Sequence, residues 1–224
     1  MIMKNSIFIL AIMTFVLVSG CKKDKLDGTV TDVEGNTYKT ITIGGTTLMA
    51  ENLRTTKFRD GSAIPIVGFG DPWKFTTTAA YNNVNGSADN AAVYGRLYNW
   101  YAVNDSKGIC PTGWHVPSSD EFTEIINASG GSLTAGGKMK ETGTDYWNAP
   151  NSGATNSSGF SARGAGYINY LGVFKDFKAF AGYWTTTQQA SNYAYFRGFY
   201  FDLAETDSYA VDKHTGLLIR CVKD

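Results

Sequence analysis

This sequence has few of the residue types that build metal sites and reactive centres. Its 224 residues include 2 histidines and 3 cysteines, and neither His115 nor His214 stands at a metal-ligand spacing from another histidine or cysteine. The chain contains no Gly-x-Ser-x-Gly sequence, so a hydrolase triad has no anchor. The run 136–139 (GGKM) lacks the earlier glycine and the Ser/Thr of a phosphate-binding loop. These absences argue against the common zinc, serine and phosphate-loop enzymes.

An excess of charge of one sign is also missing. Lys and Arg number 20, and Asp and Glu number 20, so the chain has no large positive field with which to bind nucleic acid. Its 25 glycines, 13 tyrosines and 13 phenylalanines instead favour many turns and an aromatic, β-rich core over a helical bundle. The length suits one domain with a small extension.

The apolar run near the N-terminus is short. Residues 7–18 follow Lys4 and form a segment of about a dozen residues, too short for a mature membrane-spanning helix but typical of a signal peptide. The following residues, 17–21 (LVSGC), resemble the lipobox of bacterial lipoproteins. This resemblance implies that residues 1–20 are removed and that Cys21 carries the lipids. The alternative is a plain secretory signal followed by an incidental cysteine.

A lipid anchor would place the protein at a membrane surface. Residues 21–27 are then a short, charged tether between the anchor and the domain. The pair Lys23 and Asp24 resembles the charged signal that sends some lipoproteins to the cell surface. We therefore expect an outer-membrane lipoprotein that is anchored through acylated Cys21 and faces the cell exterior rather than the periplasm.

The anchor also decides which cysteines can pair. If Cys21 is acylated, Cys110 and Cys221 remain, and an exported compartment allows them to form a disulfide. The alternative is two buried free thiols.

The pattern of polar and apolar residues predicts an α+β fold rich in loops. A capping box formed by Ser118 and Glu121 begins a helix over 118–129. Residues 94–103 are apolar on both faces, which fits a buried strand or the start of a helix, and we favour the strand. A Gly-, Ser- and Asn-rich loop occupies 138–167. The other predicted strands are an N-terminal meander over 29–33, 37–43 and 46–50, and C-terminal strands over 182–187, 194–203, 209–212 and 217–222.

Five segments carry a resemblance to a known family: 49–53 (MAENL), 95–103 (GRLYNWYAV), 110–118 (CPTGWHVPS), 153–160 (GATNSSGF) and 220–222 (RCV). On these segments, residues 28–224 are identified as a single Fibrobacter succinogenes major paralogous domain, a family abundant in exported lipoproteins. More distantly, the chain resembles the C-type lectin-like fold, which the formylglycine-generating enzymes share. The resemblance implies an α+β domain whose N- and C-terminal strands lie close together.

Three kinds of site are compatible with this fold. A Cys110–Cys221 disulfide would leave no thiol nucleophile of the formylglycine-generating kind. Four acidic residues near one strand connection could supply calcium ligands, but a solvated loop is the favoured interpretation, so no cofactor is predicted; they are Asp202, Glu205, Asp207 and Asp212. Aromatic side chains beside amides could stack on sugars. The loop set predicted for this role is Tyr146, Trp147, Asn148, Asn151 and Asn156, and Trp73, Tyr193, Tyr195 and Tyr200 are further aromatic candidates.

The leading hypothesis is a lipid-anchored, non-enzymatic binding or adhesion module at the outer membrane, with a glycan or a surface protein as its partner. The first alternative is a structural or accessory subunit of a surface assembly that recognises protein. The second is an enzyme whose groove the sequence does not show.

Overall fold

A computed structural model of the chain describes residues 28–224. The predicted signal peptide, Cys21 and the tether lie outside the described residues. Among residues 28–224 no helix has the length and hydrophobicity that crossing a bilayer requires. The strands are β1 (Gly28–Thr31), β2 (Thr37–Ile43), β3 (Thr46–Met49), β4 (Tyr81–Asn83), β5 (Arg96–Tyr98), β6 (Trp114–His115), β7 (Tyr167–Ile168), β8 (Phe174–Lys175), β9 (Phe180–Ala190), β10 (Tyr193–Tyr200), β11 (Thr206–Asp212) and β12 (Val222–Lys223). The helices are α1 (Asp71–Lys74), α2 (Ala91–Tyr94), α3 (Trp100–Val103), α4 (Ser119–Ala128) and α5 (Ser132–Met139), with 3-10 turns at Val84–Gly86 and Ala88–Asn90.

The N-terminal meander supplies three strands of a five-stranded sheet with the order β1-β2-β3-β12-β6. The side chain of Asp32 ends β1 because its Oδ1 accepts hydrogen bonds from the backbone of Glu34 (2.9 Å) and Asn36 (3.0 Å), which closes the hairpin turn. Val222 of β12 pairs with Leu48 of β3, so the end of the chain joins the sheet that its beginning started. The predicted meander and the closeness of the N- and C-terminal strands are confirmed.

The predicted C-terminal antiparallel sheet is a separate three-stranded sheet with the order β11-β10-β9. Strands β10 and β11 pair in register from Tyr193↔Asp212 to Phe199↔Thr206. The register of β10 against β9 shifts on both sides of Ala194, and such a bulge increases the local twist of a strand. The strand β10 is therefore twisted locally near Ala194, beside the aromatic residues Tyr193 and Tyr195.

Helix α4 begins as the sequence predicts. Ser118 Oγ accepts a hydrogen bond from the Glu121 backbone N–H (3.2 Å), and Glu121 Oε2 accepts one from the Ser118 backbone N–H (2.8 Å). The apolar face of the helix buries Phe122, Ile125 and Ile126 against the core. The capping box and the predicted helix are confirmed, with the helix ending one residue earlier.

The prediction of a strand over 94–103 is wrong for most of that segment. Only β5 is a strand, and the chain turns into α3 because Asn99 Oδ1 accepts a hydrogen bond from the Ala102 backbone N–H (3.2 Å). A segment that is apolar on both faces satisfies either structure, so the capping asparagine decides between them.

Two other elements differ from the prediction. Helix α5 extends into the segment predicted as a loop from residue 138. Its glycines allow close packing: a Cβ at Gly136 would lie 2.2 Å from the Glu205 backbone oxygen, and one at Gly137 would lie 2.3 Å from that of Gly153. Along the predicted strand 217–222, only Val222 belongs to β12, while Leu217 and Leu218 form single bridges to Tyr98 and Tyr183.

The disulfide is confirmed. Cys110 and Cys221 are bonded, with an Sγ–Sγ distance of 2.02 Å and a Cα–Cα distance of 6.0 Å, and both residues are buried. The bond ties the segment before β6 to the segment before β12, which are neighbours in the five-stranded sheet.

Candidate ligand-binding site

A cavity of about 490 Å3 lies between the β9–β10–β11 sheet, strand β7 with the loop that follows it, and residues 215–217. Its volume falls within the range of roughly 300–1,000 Å3 that is usual for small-molecule sites. Its polar lining residues are Asn169, Asp176, Asp212 and Thr215. Its aromatic lining residues are Tyr167, Tyr170, Phe180, Tyr193, Phe196, Tyr200 and Tyr209.

The floor of the cavity is a packed set of aromatic rings. Phe180 is central: its ring centre lies 5.2 Å from that of Tyr200, 5.4 Å from that of Tyr167 and 5.9 Å from that of Phe196. Tyr209 packs edge-on against Phe196 at 4.6 Å, because these two residues are opposite each other in the β10–β11 register. Edge-to-face contacts of this kind stabilise an aromatic cluster beyond the area they bury, so the floor is preorganised.

The rim of the cavity carries rings that face solvent. Tyr170, Tyr193 and Tyr209 are 55%, 45% and 46% exposed, respectively. They come from the loop after β7, the start of β10 and the middle of β11. Exposed tyrosines on three segments around one cavity provide flat apolar surfaces with hydroxyl groups at their edges.

The polar lining residues are held by local hydrogen bonds. Asp212 Oδ1 accepts from the backbone N–H of His214 (2.8 Å) and from its Nδ1 (2.7 Å). Asn169 Oδ1 accepts from the backbone N–H groups of Leu171 (3.0 Å) and Val173 (2.9 Å), which shapes the loop after β7. Asp176 has a positive φ of 57° at the turn that leads into β9. The local backbone therefore fixes the positions of the Asp176 and Asp212 carboxylates in the lining of the cavity.

A tyrosine–carboxylate pair lies next to the floor. Tyr200 Oη donates to Asp207 Oδ2 (2.9 Å) and lies 3.1 Å from Tyr209 Oη. Burial raises the pKa of Asp207, and the hydrogen bond from Tyr200 opposes this shift only in part. Burial also raises the pKa of Tyr200, and the hydrogen bond with Tyr209 adds to the shift. Tyr200 therefore stays a neutral donor whose orientation is fixed by its partners.

The aromatic members of the predicted loop set lie elsewhere. Trp147 is fully buried, and its Nε1 donates to the backbone oxygen of Ala162 (2.8 Å), so its ring has no free face for a sugar. Tyr146 is half-buried, with the guanidinium of Arg163 at 4.0 Å from its ring centre. We therefore place no binding role on Trp147.

The amide members of that set shape the loop. Asn151 Nδ2 donates to the backbone oxygens of Glu141 (2.9 Å) and Gly143 (2.8 Å). Asn156 both donates to and accepts from Ser161 (2.9 Å each). Asn148 is exposed. The side-chain amides of Asn151 and Asn156 thus hold neighbouring parts of the loop together, at residues 141–143 and at Ser161.

The four acidic candidates for calcium do not form one ligand set. Asp202 and Glu205 are exposed, Asp207 bonds to Tyr200, and Asp212 bonds to His214. In the part of the chain that the structure describes, no group of three or more His, Cys, Asp or Glu side chains is placed to hold a metal ion.

Sequence reasoning found only part of the cavity. It singled out Tyr193 and Tyr200 among the aromatic candidates but missed Tyr167, Tyr170 and Tyr209. Residues 167–217 contribute to the cavity through four separate segments, and only strand pairing brings them together. The available signal was the unusual number of tyrosines in this third of the chain.

The fold and the site together define a disulfide-bonded α+β domain with an aromatic cavity. The model of the Fibrobacter succinogenes major domain matches residues 41–223, and the chain belongs to this family. A comparison with curated proteins found no match, and a comparison with solved structures found none either. The likeness to the C-type lectin-like fold stays a prediction.

Proposed function

We propose that this chain is a lipid-anchored, non-enzymatic binding domain of the bacterial outer membrane and that its aromatic cavity binds carbohydrate. The observation that carries the proposal is the cavity itself, in which rim tyrosines surround a packed aromatic floor beside carboxylate, amide and hydroxyl groups.

The chemistry of the cavity suits a sugar. One face of a pyranose ring is apolar and stacks on an aromatic ring, while its hydroxyl groups need hydrogen-bond partners at the edge of that contact. Tyr170 and Tyr193 supply exposed rings, and Asn169, Thr215 and Asp212 supply polar groups in the same cavity. The preorganised floor limits the ordering cost of binding.

The state of the reactive residue types favours binding over catalysis. Cys110 and Cys221 are joined in the disulfide and are not nucleophiles. His115 lies between two carboxylates, with its Nε2 3.0 Å from Glu121 and its Nδ1 2.6 Å from Asp224. His115 is therefore used in a surface ion-pair network.

The proposed localisation rests on the lipobox-like sequence that ends at Cys21. In cells that express the full chain, Cys21→Ser is expected to move the protein from the membrane to the soluble fraction. Protease added to intact cells is expected to digest the wild-type domain. Complete protection of the domain would place it on the periplasmic face instead.

A glycan array tests the proposed ligand class. Residues 28–224 contain both buried clusters and the disulfide, so the soluble chain 22–224 keeps every contact described here. We expect selective glycan binding that persists in EDTA and is lost in Tyr170→Ala/Tyr193→Ala. Phe75→Ala is the matched control, because Phe75 is an exposed aromatic residue (69%) outside the cavity. Equal binding by all three proteins would exclude the cavity as the site.

A protein partner is the second candidate, favoured by an apolar surface beside the cavity. The backbone N–H of Gly70 donates to the Gly172 oxygen (2.8 Å), and this contact brings the exposed side chains of Phe69, Leu171 and Val173 into one region. Light scattering of the soluble chain tests this candidate. Self-association that Leu171→Asp abolishes would favour protein binding through this surface over carbohydrate binding.

A further inference from the structure

The charge of the cavity is one-sided. Two carboxylates, Asp176 and Asp212, line it, and none of its lining residues in the described part of the chain is a lysine, arginine or histidine. Carboxylates can accept hydrogen bonds from the hydroxyl groups of a neutral sugar, but they also attract a positively charged group, which a neutral sugar lacks. The one-sided charge of the lining therefore bears on which class of sugar the cavity prefers.

Several basic residues lie near the cavity without lining it. Lys175 and Lys178 flank Asp176 in the chain, and His214 hydrogen-bonds to Asp212 Oδ1 (2.7 Å). Lys213 and Arg197 are held by other groups. Lys213 Nζ donates to the backbone oxygen of Ser191 (2.7 Å) and lies 4.3 Å from the ring centre of Trp100. Arg197 Nη2 donates to Thr123 Oγ1 of α4 (2.9 Å). Within residues 28–224 neither Asp176 nor Asp212 forms an ion pair with a lysine or arginine.

The aromatic lining adds attraction for a positive charge. The faces of tyrosine rings carry negative electrostatic potential, and they attract a cation within about 6 Å of a ring centre, more strongly where the contact excludes water. Tyr193 stands opposite Asp212 in the β10–β11 register, so a ring face and a carboxylate are available to the same group. The Asp212 carboxylate also keeps Oδ2 free, because both hydrogen bonds from His214 go to Oδ1.

We infer that the cavity selects carbohydrate that carries a free, positively charged amino group, with Asp176 and Asp212 as the residues that recognise the ammonium. The inference rests on the proposed function. A sugar amine fits better than a small quaternary ammonium ion, because Asn169 and Thr215 offer hydrogen bonds that hydroxyl groups can use and a quaternary ammonium cannot.

Calorimetric titration of the soluble chain 22–224 tests the selection. The probes are choline and β-1,4-linked oligomers of equal length made of glucosamine, N-acetylglucosamine or glucose. All titrations are run at a pH below the pKa of the sugar amine, so that the amine is protonated. We expect the glucosamine oligomer to bind about tenfold more tightly than either neutral oligomer and more tightly than choline.

The variant Asp176→Asn/Asp212→Asn is expected to remove that preference, so that the charged and the neutral oligomers bind the variant with equal affinity. Asparagine tolerates the positive φ at position 176, and at position 212 it keeps the acceptor for the His214 backbone, so the fold is preserved. Asp145→Asn, an exposed carboxylate outside the cavity, is the matched control.

The outcomes separate this inference from the proposed function. The inference is overturned if the wild-type chain binds charged and neutral oligomers equally well, or if the preference survives in the double asparagine variant. Either result leaves carbohydrate binding in place. Binding of choline alone overturns both, and so does the absence of binding by every probe.

Discussion

The guanidinium carbon of Arg220 lies 4.1 Å from the centre of the Phe160 ring. The same group donates to the backbone oxygens of Met49 (3.1 Å) and Phe160 (2.6 Å) and to Asn52 Oδ1 (3.1 Å from Nε), and the residue is 1% exposed. Within residues 28–224 all of its hydrogen bonds go to neutral oxygens, and none goes to a carboxylate. Arg220 is thus a buried cation that is held by neutral acceptors and by an aromatic ring. It joins the C-terminal segment to the end of β3 and to the loop that contains Phe160.

Replacing this guanidinium is expected to be costly. Arg220→Lys removes the planar fork that reaches three acceptors, and Arg220→Met leaves those acceptors without a donor, at about 1–3 kcal/mol for each one that stays buried and unpaired. We expect both variants to lose at least about 2 kcal/mol of the free energy of unfolding in urea titration. The control is Arg54→Lys, at a half-buried site, with an expected change of about 0.5 kcal/mol. A loss at Arg220 no larger than that of the control would contradict the joining role.

The disulfide is expected to supply a large share of the stability. It links residues separated by 111 positions, and closing a loop of that length is worth about 4–5 kcal/mol in the chain-entropy model. Cys110→Ala/Cys221→Ala is expected to unfold at much lower denaturant concentration, and a reducing agent should destabilise the wild type while leaving the variant unchanged. A reductant effect on the variant would show that another group is responsible. A thiol count on denatured, unreduced chain 22–224 should give no free thiol.

Local signals in the sequence were sufficient where one residue decides the backbone. The β1–β2 hairpin closes on Asp32, and α4 begins at Ser118, because a side chain within a few positions satisfies the exposed backbone groups. The disulfide followed from a count, since only Cys110 and Cys221 remained once Cys21 was assigned to a lipid. These features depend on little that lies far away in the chain.

Long-range contacts decided the features that the sequence did not predict. Glycine is unfavourable inside a helix, yet Gly136 and Gly137 lie inside α5. Only glycine fits at these positions, because the backbone at residues 205 and 153 lies too close to leave room for a side chain. The cavity depends in the same way on distant segments, since Tyr167 and Tyr209 meet the floor only after β7 and β11 are placed. Neither the close approach nor the strand placement leaves a periodic pattern.

The capping box offers a local test of stability. Ser118→Ala removes the acceptor for the Glu121 backbone N–H and is expected to cost about 1 kcal/mol in thermal or urea unfolding. Ser132→Ala is the matched control, because Ser132 is exposed in the first turn of α5 and the cap of that helix is Gly131, with no side-chain hydrogen bond. Equal effects at the two positions would mean that the α4 cap contributes nothing beyond general helix propensity.

His115 is expected to make the stability depend on pH near neutrality. Partial burial of the ring opposes its charged form, but the hydrogen bonds with Asp224 and Glu121 outweigh this effect and raise the pKa of His115 above its ordinary value of 6.5. A group whose pKa is higher in the folded than in the unfolded chain binds more protons when folded, so its contribution is complete below the unfolded value and is lost as the pH rises through the folded value. We therefore expect the free energy of unfolding to fall as the pH rises above about 6.5, and this slope should flatten in His115→Gln. A slope that persisted in His115→Gln would assign the pH dependence to a different group.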